Sequence, residues 1–317
     1  MSRTLTVATR RGELALTQTR TVIATLKQHH PDLEVEIREV TSEGDRDRRT
    51  VLWNLKDTGF FTSRLEEMLA AGDADFAVHS YKDLPTRAHE GLTVAAVFNR
   101  KFPEDSLLAP EPIDSLDRLN EGARIGTSSL RRIAQLKHVR PDLESVPIRG
   151  NVRTRIEKLR SENLDAVILA RAGLERLGLE GEISFVFDPV EFIPAPAQGA
   201  LAIQARAEDA EACAILASID DERARAVTDA ERQILIETKC GCHAPVGAYA
   251  YCDGDTMSLR AFLSDTSGRQ LFRAQASGPW TQAQELGRQV AVELLEAGGQ
   301  HVLDELERQR NGGGIDA

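Results

Sequence analysis

Short apolar runs alternate with amphipathic segments along the first hundred residues of the chain. Four segments are predicted to be strands, at residues 4–9, 33–40, 74–79 and 92–97. Leucine and isoleucine recur at helical spacing at positions 16, 23 and 26, and leucine again at 65 and 69. The alternation predicts an α/β lobe.

The same plan recurs after residues 99–103, a polar stretch with a proline that we interpret as a hinge. Strands are predicted at residues 123–125, 145–148 and 166–170, with helices beginning at residue 130 and after residue 151. A second α/β lobe therefore follows the first.

The last third of the chain has a different pattern. A proline-rich segment that begins at residue 193 leads into a strand, which we expect to return to the first lobe. A helix at residues 220–237 precedes three short strands and two further helical stripes. The three strands are predicted at residues 248–251, 257–263 and 270–276. This order predicts a small α+β domain with an antiparallel sheet.

These segments predict three domains in a fold of the α/β class. The first lobe comprises residues 1–99 with 199–218, the second residues 103–198, the C-terminal domain residues 220–310, and a flexible tail residues 311–317. Two doubly wound lobes joined by crossing segments are also the plan of periplasmic-binding-protein-like receptors. A non-enzymatic protein that binds anionic solutes is therefore an alternative.

Composition narrows the class of protein. The chain of 317 residues has no apolar run near the roughly 18 residues that a membrane span needs, and residues 1–30 lack a continuous apolar stretch. Its four cysteines are too few and too clustered for a secreted disulfide framework, which favours a cytoplasmic location. The net charge of −11 argues against a general nucleic-acid binder.

Arginine dominates the basic residues, since only 7 of the 39 are lysine. A GC-rich genome would give the same excess, so the positions decide. Predicted strands end at Arg10, at Lys82 with Asp83, at Arg149 and at Arg171. Ligands of open α/β sheets bind at such strand ends, and the hydroxyl-rich turn at residues 126–129 precedes a helix whose free amides suit an anion.

Two segments have several interpretations from their residues alone. Two thiols and an imidazole lie close together in residues 239–247, where a metal site, a packed loop and an exposed reactive thiol are all possible. Residues 41–59 are highly charged and indicate either a mobile lid or an ordinary solvated loop.

Four motifs, in this order and spacing, resemble the porphobilinogen deaminase (hydroxymethylbilane synthase) family over nearly the whole chain. They are HSYKDLP at residues 79–85, GTSSLRR at 126–132, RGN at 149–151 and CGCHAPVG at 240–247. The resemblance implies a transferase of haem and chlorophyll biosynthesis that joins four porphobilinogen units into hydroxymethylbilane and releases ammonia. It also implies a dipyrromethane cofactor, attached by a thioether to Cys242.

The resemblance further implies the roles of the site residues. Asp83 is the catalytic group, whose carboxylate near the pyrrole N–H stabilises a transient cation. Cofactor binding is expected at Cys242, Lys82, Asp83, Thr127, Ser128, Ser129, Arg131, Arg132 and Arg155, and substrate binding at Arg10, Gln18, Arg149 and Arg176. For Arg155 and Arg176, surface salt bridges are the alternative, and for Asp83 a helix cap.

Partners follow from the same resemblance. The substrate is porphobilinogen, the product passes to uroporphyrinogen-III synthase, and the enzyme is a monomer without a metal ion, nucleic acid or membrane as partner.

The chain departs from the family pattern at a few positions, which could slow turnover or mark a divergent paralogue. Those positions are Gly12 in place of Ser, residues 57–59 (Asp-Thr-Gly) in place of Gly-Lys-Gly, and Ala197 and Cys240 in place of Gly.

Overall fold

The computed structural model describes residues 3–41, 62–87, 89–240 and 244–311. The predicted lid, apart from residue 41, lies outside the described residues, as do Cys242 and nearly all of the predicted tail. Within the described ranges, no helix is long and apolar enough to cross a membrane.

The strands of the described residues are short, and the central ones are buried, as the apolar runs predict. The strands at residues 35–40 and 271–279, in contrast, contain no buried residue. In chain order the strands are β1 Leu5–Arg10, β2 Val35–Val40, β3 Phe76–Ser80, β4 Leu92–Phe98, β5 Asp105–Leu108, β6 Arg124–Gly126, β7 Glu144–Val146, β8 Ala166–Ala170, β9 Phe185–Val186, β10 Leu201–Arg206, β11 Val246–Asp253, β12 Thr256–Ser264 and β13 Leu271–Pro279.

The helices carry apolar residues on the face that packs against a sheet. In chain order they are α1 Glu13–His29, α2 Ser63–Ala70, α3 Leu130–Val139, α4 Val152–Ser161, α5 Arg171–Arg176, α6 Ala210–Ala217, α7 Glu222–Glu237, α8 Ala283–Leu294 and α9 Gln300–Asn311.

Two five-stranded mixed sheets form the two lobes. The first has the order β2-β1-β3-β10-β4, and the second has the order β7-β6-β8-β5-β9. In the first lobe β10 runs antiparallel to β3 and β4, and in the second β5 runs antiparallel to β8. Because β10 comes from the segment after the second lobe, the chain returns to the first lobe as expected.

The C-terminal domain contains the antiparallel sheet β11-β12-β13. Helices α7 and α8 pack on this sheet around a core that includes Ile234, Leu259 and Leu294, each fully buried. The predicted fold class is therefore confirmed as two α/β lobes and a small α+β domain with an antiparallel sheet.

The structure adds elements that the apolar pattern did not predict. Strand β5 begins with Asp105 and Ser106, both fully buried, so its polar start concealed it. Helices α5 and α6 were also missed. β5 follows directly after a segment that connects the lobes, and α5 and α6 pack beside strands of the two sheets.

Two segments cross between the lobes, at residues 99–104 and 193–200. They are closely packed, since a Cβ on Gly199 would lie 2.5 Å from the carbonyl oxygen of Lys101. Asn99, Phe102 and Ala197 adopt left-handed backbone conformations there, with φ of 53°, 54° and 61°. L-residues seldom adopt this conformation, so the surrounding contacts determine the path of both segments.

Candidate functional site

A short 3-10 turn, Tyr81–Asp83, follows directly after β3. Tyr81 and Leu84 are buried on either side of it, and the Tyr81 amide donates to the Ala200 carbonyl at 3.0 Å. Between these two anchors, Lys82 is partly buried and Asp83 is exposed. The segment of residues 81–85, named here the Lys82–Asp83 turn, therefore presents an amine and a carboxylate side by side.

The Lys82 ammonium group lies in an environment that disfavours its charge. It donates to Gln198 Oε1 at 3.1 Å. Burial lowers the pKa of Lys82 to about 8; the negative charge of Asp83 opposes this, and the positive charge of Arg132 adds to it. The amine thus lies close to charged groups of the second lobe.

The first turn of α3 supplies those groups. Arg131 and Arg132 are both buried, and each forms an ion pair of 2.7 Å with a different oxygen of Asp105. Their remaining contacts are main-chain carbonyls, Ile193 at 2.8 Å and Ile168 at 2.9 Å. Burial alone would raise the pKa of Asp105, but the two guanidinium groups outweigh it and keep that pKa well below its usual range.

Gln198 connects the two lobes at this point. Its Nε2 donates to Asp105 Oδ1 at 2.9 Å and to the Pro103 carbonyl at 2.8 Å, while its Oε1 accepts from Lys82. Neither Asp105 nor Gln198 was among the predicted site residues. The signal for Asp105 was its place in the acidic pair Glu104-Asp105, one residue before the apolar pair Leu107 and Leu108.

The hydroxyl-rich turn before α3 uses part of its hydroxyls internally. Ser128 Oγ donates to the Ile148 carbonyl at 2.7 Å and accepts from the Ile148 amide at 2.9 Å. Thr127 is buried and accepts from the Ser129 amide at 3.3 Å. Ser129 precedes α3 without capping it through its side chain. Ser128 therefore fixes the segment that leads to Arg149.

Arg155, in α4, lies within the same group of charges. Its Nε donates to the Gly150 carbonyl at 2.9 Å. Burial, followed by the positive charges of Arg132 and Arg149, lowers the pKa of Arg155 to about 10, and Asp83 opposes this shift. Arg155 is partly buried, and its charge and that of Asp83 act on each other across the cleft between the lobes.

Arg10 and Gln18 lie on the first-lobe side. Arg10 is the last residue of β1. Burial lowers the pKa of His79 to about 4, and the positive charge of the nearby Arg10 acts in the same direction. Gln18 is buried, and its Nε2 donates to Ser80 Oγ at 2.9 Å. Both predicted residues therefore adjoin the strand that carries the Lys82–Asp83 turn.

Arg176 occupies a different place, at the crossing segments. Its Nη2 donates to the Asn99 carbonyl at 3.1 Å and to the Gly199 carbonyl at 2.6 Å. Burial lowers its pKa to about 10. Arg176 thus binds both crossing segments, and it does not lie among the charges around Asp83.

The cleft has an excess of positive charge that suits an acidic ligand. Lys82, Arg131, Arg132, Arg149 and Arg155 form what we call the cationic cluster, and the carboxylates of Asp83 and Asp105 act on Lys82, Arg131 and Arg155. Arg132 Nε is buried and has no hydrogen-bond partner among the described residues. A dipyrromethane with four carboxylates would supply both the charge and the acceptor, so these residues fit such a group.

The cysteine stretch begins at the end of α7. Cys240 is buried in the core of the C-terminal domain, and burial raises the pKa of its thiol to about 11. Such a thiol is a poor nucleophile, because the thiolate is the reactive form. Cys242 lies outside the described residues, two positions further along the chain.

Comparisons with known proteins agree with this arrangement. The family described as "Porphobilinogen deaminase, dipyromethane cofactor binding domain" matches residues 5–214, and "Porphobilinogen deaminase, C-terminal domain" matches residues 226–296. Porphobilinogen deaminase from Xanthomonas oryzae pv. oryzae (strain KACC10331 / KXO85) is 43% identical over 300 residues, which cover 95% of this chain and 98% of the relative. Its counterpart from Roseiflexus sp. (strain RS-1) is 44% identical over 303 residues, covering 96% and 99%.

Proposed function

The chain belongs to the porphobilinogen deaminase family, and from this premise we propose how its residues perform the reaction of that family. The protein is a transferase of tetrapyrrole biosynthesis, which condenses four porphobilinogen molecules into hydroxymethylbilane and releases one ammonia per condensation. The observation that carries the assignment of roles is the cationic cluster around a single exposed carboxylate, Asp83.

Each pyrrole unit carries an acetate and a propionate, so every unit in the cleft adds two carboxylates. In this proposal, the cluster residues Arg131, Arg132 and Arg155 bind those of the cofactor, together with Lys82, Thr127, Ser128 and Ser129. Arg10, Gln18 and Arg149 bind those of the incoming substrate, with Arg176 at the crossing segments. Forked guanidinium groups suit carboxylates, and Arg132 Nε offers a donor that is already buried.

Asp83 acts on the reacting pyrrole. Loss of ammonia from porphobilinogen leaves a cation whose charge is spread onto the pyrrole nitrogen, and the Asp83 carboxylate stabilises it through the N–H. The same carboxylate then accepts the proton that is lost at the attacked carbon. Asp83 can do both because the buried flanks Tyr81 and Leu84 fix its turn while its own side chain remains exposed.

The bound dipyrromethane supplies the covalent primer on which the chain grows. We assign its attachment to Cys242 on the family motif. The alternative thiol, Cys240, is buried with a pKa of about 11, and this supports the assignment.

The wider setting is proposed on the same basis. The domain limits are those predicted from the sequence, the enzyme acts as a cytoplasmic monomer, and its linear product passes to uroporphyrinogen-III synthase. The linear product is itself reactive, so an enzyme that consumes it promptly is expected in the same compartment.

Steady-state turnover tests the proposal. Purified protein incubated with porphobilinogen is expected to release ammonia and hydroxymethylbilane in a ratio of four to one, and Asp83→Asn to lose nearly all of this activity. A protein that binds porphobilinogen but releases no ammonia would instead support the anion-binding alternative.

A further inference from the structure

Arg232 of the C-terminal domain makes its contacts with the Lys82–Asp83 turn of the first lobe. It lies on α7 and is buried. Its Nη1 donates to the Leu84 carbonyl at 2.9 Å and to the Tyr81 carbonyl at 3.3 Å, and its Nη2 to the Pro85 carbonyl at 2.7 Å. The guanidinium carbon also lies 4.4 Å from the centre of the Tyr81 ring.

We propose that Arg232 is a positioning residue for Asp83: it fixes the conformation of the turn that aims the catalytic carboxylate. This inference rests on the proposed function. It assigns to α7 a part in the reaction that is separate from delivering the cysteine stretch.

The bonding pattern of the turn supports this role. On one side, the crossing segment holds the turn through the bond from the Tyr81 amide to Ala200 and through Gln198 on Lys82. On the other side, the carbonyls of Tyr81, Leu84 and Pro85 all point to one guanidinium group. A charged donor forms stronger hydrogen bonds than a neutral one, so three carbonyls are fixed in a single geometry.

Packing supports the turn on one side only, where Tyr81 and Leu84 are buried in a cluster with Val97 and Ala197. On the other side, a pocket of about 200 Å³ that is partly open to solvent lies between the first lobe and the C-terminal domain, lined in part by Tyr81, Pro85, Asp229 and Arg232. If the guanidinium group were removed, the turn would border an enlarged pocket and could shift into it. A displacement of about 1 Å at a catalytic group can cost on the order of 10²-fold in rate.

The chain offers a matched control on the same helix. Arg225 lies two helical turns before Arg232 and also reaches the first lobe, where its Nη2 donates to the carbonyls of Val94 and Ala95 at 3.3 Å each. It also pairs with Asp220 at 2.7 Å. Arg225 therefore contributes to docking of the C-terminal domain. It donates no hydrogen bond to the described carbonyls of the Lys82–Asp83 turn, although its charge acts on the Tyr81 hydroxyl.

The test compares Arg232→Gln, Arg232→Lys and Arg225→Gln, each with its cofactor load verified by intact mass. We expect Arg232→Gln to lower kcat by about 10- to 100-fold with KM within about twofold, since it misplaces a catalytic group rather than a carboxylate-binding group. Arg232→Lys should recover part of the rate, because an ammonium group can still reach one or two of the carbonyls. Arg225→Gln should retain a kcat close to that of the unaltered enzyme.

Amide hydrogen exchange provides a readout that does not depend on turnover. The Leu84 amide, which donates to the Tyr81 carbonyl within the turn, should exchange faster in Arg232→Gln and at the normal rate in Arg225→Gln. The inference is overturned if both glutamine variants show the same kcat, or if Leu84 exchange is unchanged in Arg232→Gln. An unaltered enzyme that forms no hydroxymethylbilane would instead overturn the proposed function.

Discussion

The Lys82 ammonium group offers a quantitative test of the charge balance in the cleft. Its pKa is about 8, against an ordinary lysine value of 10.5. At 1.36 kcal/mol per pKa unit, the folded, cofactor-free protein holds the charged form of Lys82 at a cost of about 3 kcal/mol relative to the unfolded chain. The first cause is burial, which a nearby anionic cofactor would offset.

The sign of the pH dependence follows from these two values. Between about pH 8 and 10.5 the unfolded chain still binds the Lys82 proton, whereas the folded chain has largely released it. The Lys82 contribution to the free energy of unfolding therefore rises with pH across this window. Below pH 8 the cost is fully present.

Lys82→Met removes the charge while keeping much of the side-chain length. At pH 7, removal of the charge should gain about 3 kcal/mol, and loss of the hydrogen bond to Gln198 should cost about 1 kcal/mol. The cofactor-free variant should therefore be about 2 kcal/mol more stable than its parent. At pH 9.5 the gain should fall to near zero.

Urea unfolding followed by circular dichroism measures this difference, with both proteins carrying Cys242→Ser so that neither can hold the cofactor. A Lys82→Met protein less stable than its parent at pH 7 would refute the reasoning. So would a difference in stability that is the same at both pH values.

Further predictions concern single residues of the site. Asp83→Ala should fold normally, as judged by circular dichroism, but form almost no hydroxymethylbilane; an active variant would refute its assigned role. Asp105→Asn should lower the free energy of unfolding by about 3–5 kcal/mol in urea titration, because Arg131 and Arg132 remain buried without their carboxylate. A loss below about 1 kcal/mol would contradict the buried ion-pair geometry. Cys240→Ser should keep the cofactor mass, since Cys240 is a buried core thiol; loss of that mass with the fold intact would contradict this.

The sequence predicted the lobes well because their strands are continuous apolar runs with polar residues at the ends. The residues expected at those ends, Arg10, Lys82 and Asp83, do lie at or directly after their strands. The local pattern of apolar residues is enough to predict these elements, since the chain alternates between strand-like runs and segments with helical spacing.

What the sequence could not predict depends on contacts between distant segments. Asp105 meets Arg131 and Gln198, and Arg232 meets residues of the turn 147 to 151 positions earlier in the chain. Residue type and spacing do not show such pairings, because the sequence does not distinguish a buried Asp from an exposed one. Arg176 illustrates the same limit, since only the structure connects it to the carbonyls of Asn99 and Gly199.

The central claim is that an acidic oligopyrrole grows on Cys242 within the cationic cluster, beside Asp83. Intact-mass spectrometry and peptide mapping of freshly purified protein, before and after incubation with porphobilinogen, test it most directly. We expect a mass excess of two pyrrole units on the peptide that contains Cys242, followed by further steps of one pyrrole unit each during incubation. A chain that is unmodified at Cys242 in both samples would contradict the account.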